Sequence, residues 1–344
     1  MKAIAGMAAE ALAKSGLLGL LEASDRDGRR VRIVAYHRVD ESDAEPDLEP
    51  GLLSATPEDF RRQVEIIASH YQPVSLDDVV AAHLGERPLP PRAVLFSFDD
   101  GYRDFAEHAW PTLRALGVPA VLFVPTAFPD SPGPGFWWDR VHAVLRRTRA
   151  KEATFEGIGH LPLDDVDARR QASRAIRTRV KSLPHDEAMA WLDREIEPLA
   201  EVPSLHRVLG WGALRAMARE GLAVCSHSHA HALCTRLDEP TLAEDLRRSR
   251  EIVERELGDH AAPPVFAYPS SASDATSRAA AHKAGYTLAL GGGRFIERLP
   301  FEDPMNVQRL PMLRYATPLF RAQLRPSVAG LGRILIDRSP GRAA

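Results

Sequence analysis

Cysteine is nearly missing from this chain of 344 residues: Cys225 and Cys234 are its only two. That is too few for a disulfide framework and compatible with a reducing compartment. A charge excess is missing as well, since 44 Lys and Arg face 47 Asp and Glu for a formal net charge of −3. No nucleic-acid partner is expected on that balance. Nor is there an uninterrupted apolar run at the N-terminus, where Glu10 and Lys14 break the stretch that a signal peptide or membrane span would need. The expectation is a cytoplasmic protein, with a peripheral contact to a membrane surface left open for the two terminal segments. No internal repeat of fixed period is evident.

What is present is an ordinary globular composition, 44% hydrophobic and 26% charged, with length enough for a large core. Three segments follow from its patterning. Residues 1–29 carry Ile4, Met7, Leu12, Leu18 and Leu21 at roughly helical spacing and read as an amphipathic helical segment. Residues 30–315 alternate short apolar runs with amphipathic stretches, and residues 316–344 form a basic tail with Arg321, Arg325, Arg333, Arg338 and Arg342.

Within the central segment, strands are expected at 31–36, 94–98, 120–124, 222–226, 264–268, 286–290 and 307–310. Thr56 before Pro57 marks a helix start, with that helix running to about residue 70, and further helices are expected at 103–116, 211–220, 241–257 and 274–284. Gly117, Gly221, Gly258 and Gly285 follow those helices in the place where helices favour glycine. Seven strands with helical crossovers imply an α/β fold with a parallel sheet closed, or nearly closed, into a barrel; an open doubly wound sheet is the alternative. Residues 139–207 show helical patterns and no clear strand, and read as a helical insertion in the barrel.

Two strings carry chemistry. In VLFSFDDGY an apolar strand runs into Asp99, Asp100 and Gly101, and the C-terminal strand ends of parallel barrels face the active site. Alone, Asp-Asp-Gly also describes an ordinary turn. In LAVCSHSHAH a second strand ends in His227, His229 and His231; histidines four apart can grip one ion, and with a strand-end Asp they offer two imidazoles and a carboxylate. That set leaves a position open for water, as hydrolytic zinc requires. Arg309, at the end of the last expected strand, can hold a carboxylate through a bidentate pair or form a plain surface salt bridge. Trp137 and Trp138 offer rings on which a sugar can stack, or simply packing anchors.

The order FDDG, then His227-Ser228-His229-Ala230-His231, then FAYP resembles NodB-type polysaccharide deacetylases of carbohydrate esterase family 4. AYHRV, PVSLDDVV, PPRAV and FWWD resemble the branch that acts on exported poly-N-acetylglucosamine. The resemblance covers about residues 31–312 and implies a distorted (β/α)7 barrel with a helical insertion. It implies Asp99 as catalytic base, Asp100, His227 and His231 as ligands of one divalent metal ion, Zn2+ foremost with Co2+ or Ni2+ also suitable, and Ser228 as the hydroxyl that orients the loop. It also points to His37 as the acid that protonates the leaving amine, a task suited to imidazole near neutral pH.

The tetrahedral oxyanion then needs a fixed donor, and the amide of Ser270, after Tyr268 and Pro269, would supply one. Tyr268 and Trp138 are grouped with Ser270 as oxyanion or substrate contacts. Two departures stand out: Ser270 and Ser271 replace the aromatic residue and glycine common after this proline, and no late Leu-x-His element is visible. The implied substrate is an N-acetylated saccharide. A metal-dependent hydrolase of small amides and a catalytically silent carbohydrate-binding protein are the competing functions.

Overall fold

The computed structural model describes residues 28–131, 133–293 and 296–312, together with Phe320 and Leu324. The expected N-terminal helix and most of the basic tail lie outside the described residues.

A parallel strand buried on both faces reads as a continuous apolar run, and the apolar runs of the sequence form such strands. β1 (Arg30–Tyr36), β2 (Ala93–Phe98), β3 (Ala120–Val124), β4 (Ala223–Ser226), β5 (Val265–Ala267) and β6 (Leu288–Leu290) lie in parallel, in the spatial order β6-β5-β4-β3-β2-β1. The last stave is short. Val307 bridges Leu290 of β6, and β7 (Leu310–Pro311) pairs with Val34 and Ala35 of β1, so residues 307–311 close the curled sheet into the distorted barrel.

Side chains alternate across each strand. Val94, Phe96 and Phe98 of β2 face outward onto Phe60, Val64 and Ile67 of α1 (Pro57–His70). Leu95, Phe123, Cys225, Val265 and Leu288 fill the barrel interior. Continuing the inward rows by two residues gives Asp99 after Leu95 and Ser97, His227 after Ala223 and Cys225, and His37 after Ile33 and Ala35. The sequence thus carries three chemical side chains to the C-terminal mouth of the barrel, on the row that lines its interior.

Local capping explains the helix starts. Thr56 Oγ1 accepts the Asp59 amide at 3.2 Å to begin α1. The next helix, α2 (Leu76–His83), was not among those expected, although Ser75 and Asp78 form a reciprocal capping box at its start. Of the helix expected at 103–116, only the second half is regular, as α3 (Trp110–Ala115). The first half is widened over Phe105–Ala109, where the Trp110 amide reaches back to the Phe105 carbonyl, because Pro111 cannot donate the next helical bond. Gly117 and Gly221, at φ 64° and 98°, stop α3 and α7 (Trp211–Arg219) in a conformation that other residues rarely adopt.

The insertion contains α4 (Trp137–Arg147), α5 (Val166–Ser182) and α6 (His185–Glu195) around its own core of Val144, Phe155, Ile176, Trp191 and Leu192. The expectation of no strand there is corrected: Glu152–Phe155 and Gly159–Pro162 pair as an antiparallel hairpin. Apart from Phe155 these strands bury no side chain, so they lack both an apolar run and clean alternation. The barrel resumes with α7, α8 (Glu239–Leu257) and α9 (Ala275–Lys283).

Candidate metal centre

The backbone ladder continues one residue past the strands and fixes the site residues in place. The Asp99 amide donates to Tyr36 O at 2.9 Å, and the His227 amide donates to Val124 O at 2.9 Å. Strict alternation would then turn Asp100 outward, but at φ 72° its backbone enters the left-handed region and brings the carboxylate back over the mouth. Seven described non-glycine residues have positive φ, and five of them, Asp100, Ser228, His231, Ser270 and Ser271, belong to these loops. Strain of this kind persists where the surrounding structure over-determines it.

Asp100, His227 and His231 converge, with one donor atom from each within 4.8 Å of the others. Asp100 Oδ1 lies 3.5 Å from His227 Nε2 and 3.2 Å from His231 Nε2. Ligands of a tetrahedral zinc site at ~2.0 to 2.1 Å would stand about 3.3 Å apart, so the spacing suits a cation held between them. Protein partners fix two of the three. His227 Nδ1 faces the Ala267 carbonyl at 2.7 Å, which leaves Nε2 for the centre, and Ser228 Oγ accepts the His231 amide at 3.0 Å. His231 Nδ1 is buried without a partner among the described residues.

Arg309 reaches into the mouth and pairs with Asp99 in fork geometry, Nη1 to Oδ1 at 2.7 Å and Nη2 to Oδ2 at 2.8 Å. Of its two readings, the surface salt bridge is excluded, because Arg309 and Asp99 are each 3% exposed. Burial pushes the Asp99 carboxyl upward, yet the Arg309 charge and hydrogen bonds, with the His227 charge, hold it below the ordinary carboxylate range. Asp100 is held low against the same burial by hydrogen bonds from His227 and His231. Two buried carboxylates and one guanidinium leave a negative charge uncompensated when the imidazoles are neutral, which again suits a cation. His37 Nε2 stands 3.9 Å from Asp99 Oδ2 at the more open edge, and Ser54 Oγ accepts the His37 amide at 3.0 Å.

Two expected substrate contacts are corrected. Trp138 is buried, its Nε1 donating to Tyr102 Oη at 2.9 Å and its ring edge-to-face with His231 at a centroid distance of 4.9 Å. It backs His231 and offers no open ring. Trp137, one helical position earlier, lines the cleft beside His231 and Ser270. Tyr268 is fully buried, with its hydroxyl donating to Met305 O at 2.9 Å, so only its backbone touches the site loop. Ser270 is exposed at the cleft in the left-handed conformation. His229 stands outside the centre, its Nδ1 2.9 Å from Thr126 Oγ1.

A supporting layer escaped the sequence reading. Tyr102 Oη, which accepts from Trp138, donates to Asp139 Oδ2 at 2.7 Å, and Asp139 Oδ1 accepts the Glu49 amide at 2.7 Å. Burial pushes the Asp139 carboxyl up to about 7 against those two hydrogen bonds. The signal was present in FDDGY and FWWD, whose last residues are the two partners. The two cysteines are both buried and free, and no described helix is long and apolar enough to cross a membrane.

A barrel bearing a carboxylate and two imidazoles that could hold a metal ion at its C-terminal mouth defines a class of (β/α) scaffolds. The polysaccharide deacetylase family model matches residues 86–289, more than half of the chain, and the chain belongs to that family. Over 99 residues it is 35% identical to the poly-beta-1,6-N-acetyl-D-glucosamine N-deacetylase of Escherichia coli K12, a stretch covering 29% of this chain and 14% of that protein. The fold is similar to the Streptococcus pyogenes deacetylase PplD solved with acetate (TM-score 0.59, 15% identity, 86% of this chain and 98% of that one). It is similar also to IcaB from Ammonifex degensii (TM-score 0.55, 17% identity, 86% and 97%) and to the BpsB deacetylase domain from Bordetella bronchiseptica (TM-score 0.53, 18% identity, 83% and 97%).

Proposed function

We propose that the chain is a metal-dependent deacetylase that hydrolyses the N-acetyl group of an amino-sugar-containing saccharide to a free amine and acetate. The observation that carries this reading is the convergence of Asp100, His227 and His231 on one point, beside an Asp99 that Arg309 holds ionised. A divalent ion bound by those three residues would supply Lewis acidity, making a water acidic near neutral pH and polarising the acetamide carbonyl.

The chain's own groups do the rest. Asp99 takes the proton of the attacking water; the pairing that keeps it charged also makes it a weak base, so it depends on that water being acidified. Arg309 fixes the carboxylate plane. Ser270 lines the cleft, and its amide is the donor for the carbonyl oxygen as its charge develops. His37, on the open edge next to Asp99, gives a proton to the departing nitrogen. Trp137 contributes an aromatic surface to the cleft.

The test is acetate release from N-acetylated sugars of increasing length, with zinc, cobalt or nickel added. Release that depends on the ion supports the reading. Sugar binding without acetate under all three metals would assign the scaffold to binding alone, and turnover restricted to small non-sugar amides would assign another substrate class.

A further inference from the structure

The cleft beside the metal loop has walls of different origin. Leu233, Arg236 and Ser270 come from the barrel loops, and Trp137, Lys181 and Met189 come from the insertion. The two walls are tied together where Arg236 Nε donates to the Lys181 carbonyl at 3.1 Å. Lys181 and Arg236 both line this cleft, which thus carries two cationic side chains.

Neither charge is matched. Among the described residues, the Lys181 ammonium has no hydrogen-bond or ion-pair partner, and the Arg236 guanidinium has no carboxylate. Burial, with the Arg177 charge, pulls the Lys181 pKa down, as expected for an ammonium short of a counter-ion. The neighbouring groups do not supply one. Arg177 is occupied by Glu49 at 3.3 Å, and Asp245, whose charge reaches His185 in the same cleft, spends its oxygens on the His229 and Ala230 amides at 2.9 and 3.0 Å. In a chain of formal charge −3, this local surplus is not a by-product of composition. An N-acetylated hexosamine is itself uncharged, so a cationic lip has nothing to read on the acetamide sugar alone.

We propose that Lys181 and Arg236 form an anion subsite next to the metal loop, which recognises a phosphate or carboxylate carried by the saccharide beside its N-acetylated sugar. The subsite rests on the deacetylase reading for its substrate, but its own chemistry is binding. Substrate choice is therefore set where the insertion meets a barrel loop, while the barrel mouth carries the hydrolytic groups.

The experiment is equilibrium binding to the full chain, by calorimetry and tryptophan fluorescence, of three probes: neutral N,N′-diacetylchitobiose, N-acetylglucosamine 1-phosphate, and a disaccharide of N-acetylglucosamine with a uronic acid. At least one anionic probe binds about tenfold or more tighter than the neutral one, the worth of one hydrogen bond to a charged group. Which anionic probe gains identifies phosphate or carboxylate as the source. In Lys181→Gln/Arg236→Gln the ratio of anionic to neutral affinity falls to near one, while Lys181→Arg keeps it. Equal affinities for all three probes in the parent, or a preference that survives the double substitution, overturns the subsite. Acetate release is followed on the same probes: none from any of them, with the binding preference intact, counts against the deacetylase reading and leaves the subsite standing.

Discussion

Asp99→Asn separates the chemical role of this residue from its structural one, because Asp99 and Arg309 form a fork of two short hydrogen bonds between two buried side chains. The substitution removes the charge opposite the guanidinium and presents it with an amide NH2 on one side. Breaking a buried ion pair in this one-sided way costs about 3 to 5 kcal/mol of folding stability, since the remaining charge stays desolvated. Loss of the base costs a further and independent factor of about 10² to 10⁴ in rate. In the double variant Asp99→Asn/Arg309→Met neither charge remains, so most of the lost stability returns while the rate does not. Urea unfolding followed by tryptophan fluorescence and initial rates of acetate release, both with metal content measured, give the two quantities. The single variant is expected to keep its ion, because Asp100, His227 and His231 are untouched. Full activity in Asp99→Asn would remove it from the mechanism, and a double variant no more stable than the single one would refute the buried-pair argument.

Other outcomes follow from the supporting residues. Ser228→Ala removes the hydroxyl that accepts the His231 amide, and metal affinity, read by competition with a chelator, is expected to fall about 10- to 100-fold; unchanged affinity would count against that orienting role. Asp139 titrates at about 7 in the folded chain, with burial raising it, against ~3.9 unfolded. In the window between those values the folded state binds more protons, so stability falls as pH rises. The parent should therefore lose stability relative to Asp139→Asn between about pH 4 and 7, and a constant difference in urea midpoints would contradict this. Ser270→Gly keeps the amide and relaxes a φ of 53°, so its rate should stay near the parent's; a loss of about 10² or more would show that the side chain, and not the amide, is what the site uses. Circular dichroism and metal content distinguish that loss from misfolding.

The barrel was legible because strands buried on both faces cannot hide: VLFSF and LAVCS are apolar except for Ser97 and Ser226 and stop where the chemistry begins. Thr56, Gly117 and Gly221 were legible for a local reason, being residues whose own backbone geometry ends or starts a helix. The hairpin over Glu152–Phe155 and Gly159–Pro162 was not, because it lies on the surface and buries almost nothing. Trp137 and Trp138 could not be told apart because neighbours on a helix point about 100° apart, and only the packed fold says which one meets His231 and which one the cleft. The partner of Arg309 lies 210 positions away, a distance at which sequence patterning carries no signal. Tyr102 and Asp139 each ended a motif already in view, but their hydrogen bond joins a barrel loop to the insertion, and neither string alone implies it.

Metal analysis of the purified chain, beside Asp100→Ala and His231→Ala variants, tests the central claim most directly. The account predicts one divalent ion per chain in the parent, little in either variant, and acetate release that disappears with a chelator and returns when the ion is restored. A parent that binds no divalent ion under any loading condition, or that releases acetate equally well after chelation, would contradict it.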